Sequence, residues 1–348
     1  MPSQQPTVSI SMPAYNAGRY IGRTIESILA QSFQDWELII VDDGSADNTI
    51  DVVRTFRDER IRIVPNPHIG NISTIRNIGL QESKGHYLMS VDADDLYEPN
   101  ALETLRNYLE MNPDCTAVYA FNTFIDQDEQ PISVPGYDIS WLDEQGNFHL
   151  NPKFHHSWRN ILDDFYYGQL QSLMMPRATL DRIGLFNEQA IAEDTEFYLR
   201  LFADNFNGVR FIPKPVYRHR IHITSFSNDI SRLQERLDNI TLNANQVHDI
   251  VHGLAGLSYP KSALVTKQYK RHLSIQLNHR NFHALPVIFR HAVANSDMPL
   301  GSLLFVTLLE GFRAIAPGFF HNLLRPVGRK LKKLFIRENR FQKRAMTP

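Results

Sequence analysis

Two groups of carboxylates have the type and spacing for chemistry with a cation. Asp42 and Asp43 precede Gly44 and Ser45, and Asp92, Asp94 and Asp95 follow the apolar run Tyr87–Val91. Alone, two acids and a glycine after a strand make an ordinary turn. A second acidic cluster on the same sheet edge concentrates negative charge, which is costly unless cations neutralise part of it. Hard divalent ions such as Mg2+ and Mn2+ prefer carboxylate oxygens and accept phosphate oxygens in their remaining positions. Asp92 and Asp94 stand two apart where a strand gives way to a turn, so both can converge on one ion. The chemistry expected of this arrangement is a metal–diphosphate site.

The elements that must hold these acids alternate along the first half of the chain. Val8–Met12, Glu37–Val41, Ile61–Val64, Tyr87–Val91 and Ala117–Phe121 read as strands. Between them, helices are expected over Tyr20–Gln31, from an N-cap near Asp47, over Asn71–Glu82, and after Pro99 with Leu102, Leu105 and Leu109 on one face. Such alternation predicts a mostly parallel, Rossmann-like α/β sheet flanked by helices, with ligands beyond the carboxyl ends of the strands. Both acid clusters fall at such ends. Residues 126–165 break the pattern into a long irregular stretch, the kind of length that usually serves function. The aromatics in and just after it, Trp141, Phe148, Phe154, Trp158, Phe165, Tyr166 and Tyr167, can stack on a sugar or pack a core.

From Ile230 the strand signals stop. Ile230, Leu233, Leu237, Ile240, Ala244, Val247 and Val251 form a heptad seam, for packing on the first domain or for a homodimer. The expected divisions are a catalytic domain at 1–228, a helical region at 229–324 and a basic tail at 325–348. Residues 325–344 hold nine Lys or Arg against Glu338, while the whole chain of 348 residues carries a net charge of −2. Beside the apolar residues before it, that tail suits an anionic membrane surface. The net charge gives no sign of a nucleic-acid partner. Cys115 is the single cysteine, which excludes an intrachain disulfide. The start lacks the pattern of a signal peptide. The most apolar stretch, Leu300–Phe320, is broken by Glu310, Arg313 and Pro317. A cytoplasmic protein, peripheral on the inner face of the membrane, is expected.

Taken in order, several motifs resemble glycosyltransferase family 2, which has the GT-A fold; the resemblance runs from about Thr7 to Ser227. Val8 to Ala17, with Pro13, Ala14, Tyr15 and Asn16, resembles the first strand and nucleotide-binding loop. Val41 to Ser45 resembles the second loop, in which Asp43 would contact the base. Ile75 to Gly79 matches the segment before the metal motif, and Val91 to Asp95 resembles the Asp-x-Asp motif itself. Ala192-Glu193-Asp194 matches the acidic pair that supplies the catalytic base. Tyr217 to His222, followed by Ser225 and Ser227, resembles the segment that closes over the donor phosphates.

The resemblance implies inverting transfer of a sugar from a nucleotide-sugar, with UDP as the family's common carrier, to a hydroxyl of a glycan or glycolipid. The setting it suggests is cell-surface polysaccharide synthesis. Asp194 would be the base; Pro13, Ala14, Tyr15, Asn16, Asp43, Arg76, Asp92 and Arg220 would bind the donor. Asp94 and Asp92 would hold Mn2+ or Mg2+, with His222 a metal or diphosphate contact. The alternative is an inactive member that binds nucleotide-sugars as a scaffold. A nicotinamide dehydrogenase is excluded because Pro13 to Gly18 replaces the glycine-rich turn after the first strand. A processive synthase would bring membrane helices and a Gln-x-x-Arg-Trp motif, and a nucleotidyltransferase an early glycine-rich phosphate loop. None of these is seen.

Overall fold

A strand buried on both faces is built mainly of apolar residues, and the first two strands follow this, with Ser9 and Ser11 the polar members of the first and Glu37, Asp42 and Asp43 those of the second. β1 (Val8–Ala14) and β2 (Trp36–Asp43) lie side by side in parallel, Ile10 opposite Leu38 and Ala14 opposite Asp42. The computed structural model describes residues 5–132, 170–190 and 193–222, with five further positions between 237 and 288. Within them, β3 (Ile61–Asn66), β4 (Tyr87–Ser90), β5 (Leu96–Tyr97), β6 (Ala117–Ile125), β7 (Met174–Pro176) and β8 (Val209–Arg220) complete one sheet. Its order is β3-β2-β1-β4-β7-β6-β8-β5. The β3, β2, β1 and β4 half is parallel throughout. Beyond it, β7 runs antiparallel to both β4 and β6, β6 and β8 are parallel, and β5 is antiparallel to β8. The sheet is therefore mixed.

Helices cover both faces. Ile21, Ile25 and Ile28 of α1 (Ile21–Leu29) and Leu102, Leu105 and Leu109 of α4 (Ala101–Met111) join Val8, Ile10, Met12, Leu38 and Ile40 in one core. α2 (Thr49–Thr55) adds Val53 to it. On the other face Ile75 of α3 (Ile72–Glu82) packs on Ile39 and Val41. A third cluster joins Leu80 and Leu88 to Phe186 and to Phe197 and Leu201 of α6 (Glu193–Asp204). α5 (Arg177–Ile183) contributes Leu180.

Local chemistry sets the element ends. Asn71 caps α3, its side chain accepting from Ser73 and Thr74 N–H. At α2 the cap position is Asn48 rather than Asp47, and no side chain caps from there. Asp47 still serves the helix start, accepting from Thr49 N at 2.9 Å and from its hydroxyl. Pro13 does not end β1, because the strand pairs with β4 only up to Ser11 and a missing N–H beyond that point is tolerated.

The chain divides into two compact units, Met1–Asp229 with Asn245–Ser258, and Ile230–Ala244 with Tyr259–Pro348. The heptad seam apart from Leu237, the aromatic stretch 133–169, Ser225, Ser227 and the basic tail lie outside the described residues. Among the described residues no helix is long and apolar enough to cross a membrane.

The approach of α3 to the sheet has a sharp test. A Cβ on Gly79 would run into Ser11 Oγ and come within 2.9 Å of Ser11 Cβ. Gly79→Ala is expected to destabilise, because overpacking costs about 1–3 kcal/mol while helix propensity offsets at most about 1 kcal/mol. Thermal melts followed by circular dichroism check this; an unchanged or raised midpoint would show that Ser11 yields freely.

Candidate active site

The carboxyl ends of β1, β2 and β4 lie together at one edge, and the loops leaving them are tied to one another. Asn16 takes a left-handed backbone, φ 49°, which asparagine tolerates better than most residues. Its Oδ1 accepts from Ala46 N at 2.8 Å, and its own N–H donates to Ser45 Oγ at 3.0 Å. Asp42 turns inward to accept from Ser45 N. Asp43 is buried and accepts from Ile69 N at 2.6 Å and Gly70 N at 3.0 Å, so it anchors the segment leading to α3. Gly44 sits at φ 69°, where a Cβ would also lie 2.6 Å from His68 N. Tyr15 is 48% exposed and stacks on His68 with ring centroids 4.3 Å apart.

The turn after β4 brings Asp92, Asp94 and Asp95 together, each offering an oxygen within 4.8 Å of the others. They are not equivalent. Asp95 is fully buried; it accepts from Arg220 N at 2.8 Å and faces His219 Nδ1 at 3.1 Å. Burial pushes its pKa up to about 6 against the pull of His219. Burial alone would lower His219, but the Asp95 charge outweighs it and raises the imidazole to about 9. Near neutral pH the two therefore form an ion pair within the wall of the site. The Asp92 and Asp94 side chains remain 30% and 31% exposed. Asp92 Oδ2 accepts from Gln171, whose carbonyl in turn accepts from Tyr97 Oη at 2.6 Å. His222 Nε2 lies 2.9 Å from Asp94 Oδ2, and its ring leans on Tyr20. Two accessible carboxylates with an adjacent imidazole are a donor set that fits a hard divalent cation.

The backbone of this turn is fixed from beneath. Thr24 Oγ1 donates to Ala93 O at 2.9 Å, and Arg220 Nε donates to Asp94 O at 2.7 Å. Arg220 is 1% exposed; its remaining N–H groups reach Asp126 O, Gln127 O and Glu129 Oε1 at 3.3–3.4 Å, and its guanidinium lies over Tyr20. The structure thus places Arg220, expected to bind the donor, beneath the acidic turn. Its guanidinium is occupied by protein acceptors and supports the acidic turn.

Asp194 is exposed in the first turn of α6, its carboxylate accepting from Thr195 N at 2.6 Å, where the helix dipole favours a negative charge. Glu193 points inward to Arg76. Arg76 is buried between Glu193 and Asp92; burial would lower its pKa, but the charges of Asp92, Glu193 and Asp194 together raise it. Pro13 and Ala14 lie inside β1. Sequence reasoning missed Gln171 and Glu129, and no motif marks either one.

Residues 9–165 match the family description Glycosyl transferase family 2. Over those residues the chain is similar to family 2 glycosyltransferases. The chain is 29% identical over 254 residues to an uncharacterized glycosyltransferase of Haemophilus influenzae, covering 70% of this chain and 76% of that protein. It is 40% identical over 96 residues to WfgD of Escherichia coli, a UDP-Glc:alpha-D-GlcNAc-diphosphoundecaprenol beta-1,3-glucosyltransferase. That match covers 28% of this chain and 38% of WfgD. Among solved structures, residues 1–349 of S. aureus TarS in complex with UDP-GlcNAc superpose with a TM-score of 0.58 at 17% identity, covering 88% of this chain and 83% of that one. At that identity the likeness establishes the GT-A fold.

The support under the acidic turn is testable. Arg220→Met would leave the buried Asp94 carbonyl without its donor, at a cost of about 1–3 kcal/mol. Glu129→Gln, at the outer and partly exposed end of the same network, should cost under about 1 kcal/mol. Urea unfolding of both variants checks the contrast; equal losses would mean the two positions carry equal weight.

Proposed function

We propose that this glycosyltransferase moves a sugar from a UDP-sugar to a hydroxyl of a glycan or glycolipid, with a divalent cation and with inversion, in cell-surface polysaccharide assembly. The observation that carries this reading is the pairing of two unlike acidic sites. One is a half-exposed Asp92–Asp94 turn beside His222, suited to a cation and a diphosphate. The other is an exposed carboxylate, Asp194, held at a helix start. Asp92, Asp94 and His222 would hold Mn2+ or Mg2+, which when bound neutralises the negative charge that develops on the departing diphosphate.

The chain's own residues supply the rest. Asp194 accepts the proton of the acceptor hydroxyl as its oxygen bonds to the anomeric carbon and the bond from that carbon to the diphosphate oxygen breaks. Thr195 N–H, at the start of α6, holds this carboxylate in place. With one base and, among the described residues, no free nucleophile paired with it (Glu193 is held by Arg76), displacement occurs once and configuration inverts. Tyr15 offers an exposed ring face for a base, and Asn16 fixes the loop that presents it. The UDP carrier is supported by the names of WfgD and of the TarS complex, and a lipid-linked acceptor by that of WfgD. The scaffold alternative has no support of its own, since every acid the reaction needs is in place.

Two substitutions separate the halves of the reaction. Asp94→Asn should abolish Mn2+-dependent UDP binding measured by calorimetry; binding that keeps its metal dependence in the folded variant would sink the metal assignment. Asp194→Asn should leave UDP affinity near wild type while turnover drops by about 10²-fold or more. Turnover is read as UDP released from UDP-glucose or UDP-N-acetylglucosamine, and an NMR assignment of product configuration checks inversion.

A further inference from the structure

Arg76 stands in the middle of α3 and is 5% exposed. The motif around it resembles one that faces a donor, yet its contacts lead elsewhere. Nη1 donates to Glu193 Oε1 at 2.5 Å, across 117 residues of sequence, and Nη2 reaches Asp92 Oδ1 at 3.4 Å. Glu193 is the neighbour of Asp194, and Asp92 opens the acidic turn. A single buried cation thus touches both halves of the proposed reaction centre.

The surroundings of Arg76 hold the same two parts. Its guanidinium lies 5.6 Å from the centroid of Phe186, which stacks on Phe197 of α6 at 4.3 Å. The next residue on α3, Asn77, donates to Phe186 O at 2.9 Å and Glu188 Oε1 at 3.0 Å, and accepts from Phe186 N at 2.8 Å. Asn71, at the helix start, donates to Glu188 O at 2.9 Å. α3 therefore grips the segment that leads into α6, and Arg76 ties the first residue of α6 to the acidic turn. On the far side of Asp92, the second oxygen is held by Gln171.

We infer that Arg76 is a positioning residue that sets Asp194 against the acidic turn through Glu193, rather than a contact of the donor diphosphate. This rests on Asp194 being the base. A guanidinium suits the task because its rigid planar fork can hold two acids at fixed directions, whereas a lysine brings one ammonium on a flexible stem. A displacement of a reacting group by about 1 Å costs about 10²-fold in rate, so a strut of this kind acts on turnover without touching substrate.

The test uses the full-length protein with Arg76→Gln, Arg76→Lys, Glu193→Gln, Asp194→Asn and the double variant Arg76→Gln/Asp194→Asn. UDP affinity in the presence of Mn2+ is measured by calorimetry. Turnover is measured as UDP release from UDP-glucose or UDP-N-acetylglucosamine with water as acceptor, and folding by thermal midpoint. Arg76→Gln is expected to lower kcat by about 10²-fold while UDP affinity stays within about 3-fold. Arg76→Lys should recover the midpoint but not kcat. In the Asp194→Asn background, Arg76→Gln should add little, because residues that act as a unit are not additive. If Arg76→Gln does not fold, Glu193→Gln, which keeps the size and removes the charge of the strut's far end, carries the same expectations for kcat and UDP affinity.

UDP affinity falling in step with kcat would make Arg76 a donor contact and overturn the inference. So would full recovery of kcat in Arg76→Lys, or additive losses in the double variant. Wild-type turnover in Asp194→Asn would defeat the base assignment itself. Impaired Asp194→Asn beside unimpaired Arg76→Gln would defeat this inference alone.

Discussion

Like charges held close together in a partly dry site repel, and this structure is arranged around that problem. Asp92, Asp94 and Asp95 share one turn, with Glu193 and Asp194 at the start of a nearby helix. Burial raises the pKa of Asp92 and Glu193, and the cation Arg76 opposes that rise in both. His219 does the same for Asp95. Glu193 and Asp92 share Arg76 and Asp95 has His219, while the Asp92 and Asp94 side chains stay about a third exposed at the mouth. Three acids in one turn thereby become a wall and a mouth: Asp95 sealed, Asp92 and Asp94 open.

The fold gives this arrangement its rigidity. Parallel strands end at a common edge, so the turn after β4 and the loops after β1 and β2 start from fixed points. The acidic turn is then pinned through its own carbonyls, by Thr24 from α1 and by Arg220 from β8. Asp43 shows the same economy. Its carboxylate orients the Ile69–Gly70 backbone that leads into α3, and α3 in turn carries Arg76. Residues that look like independent ligands in the sequence are mechanically linked in the folded chain.

Local patterns were legible in the sequence because their causes are local. The strand runs at Val8 and Glu37 and the leucine face of α4 follow from periodicity within a few residues. The antiparallel β7 escaped notice because three residues carry no period, and its place between β4 and β6 is a tertiary fact. The acidic turn after β4 was also readable, since its spacing at a strand end is itself the signal. Its partners were not. Gln171 reaches Asp92 across 79 residues and Arg220 reaches the Asp94 carbonyl across 126, and neither distance leaves a trace in composition or spacing. For the same reason Arg220 reads as a donor contact in a phosphate-closing segment, although the chain buries it to 1% exposure.

Arginine is the side chain for which this ambiguity is greatest. Its fork binds phosphate and carboxylate with the same geometry, so residue type alone cannot separate a ligand contact from an internal brace. What separates them is the sum of partners around the guanidinium. Arg220 has acceptors for Nε and for both terminal nitrogens and is closed to solvent, so it holds a backbone. Arg76 has two carboxylates that belong to different steps of one reaction, so what it holds is their relative position. Where acids must sit close together to work, the cations that make this tolerable also fix where the acids point. Charge balance and catalytic alignment are then one property of the same buried side chain.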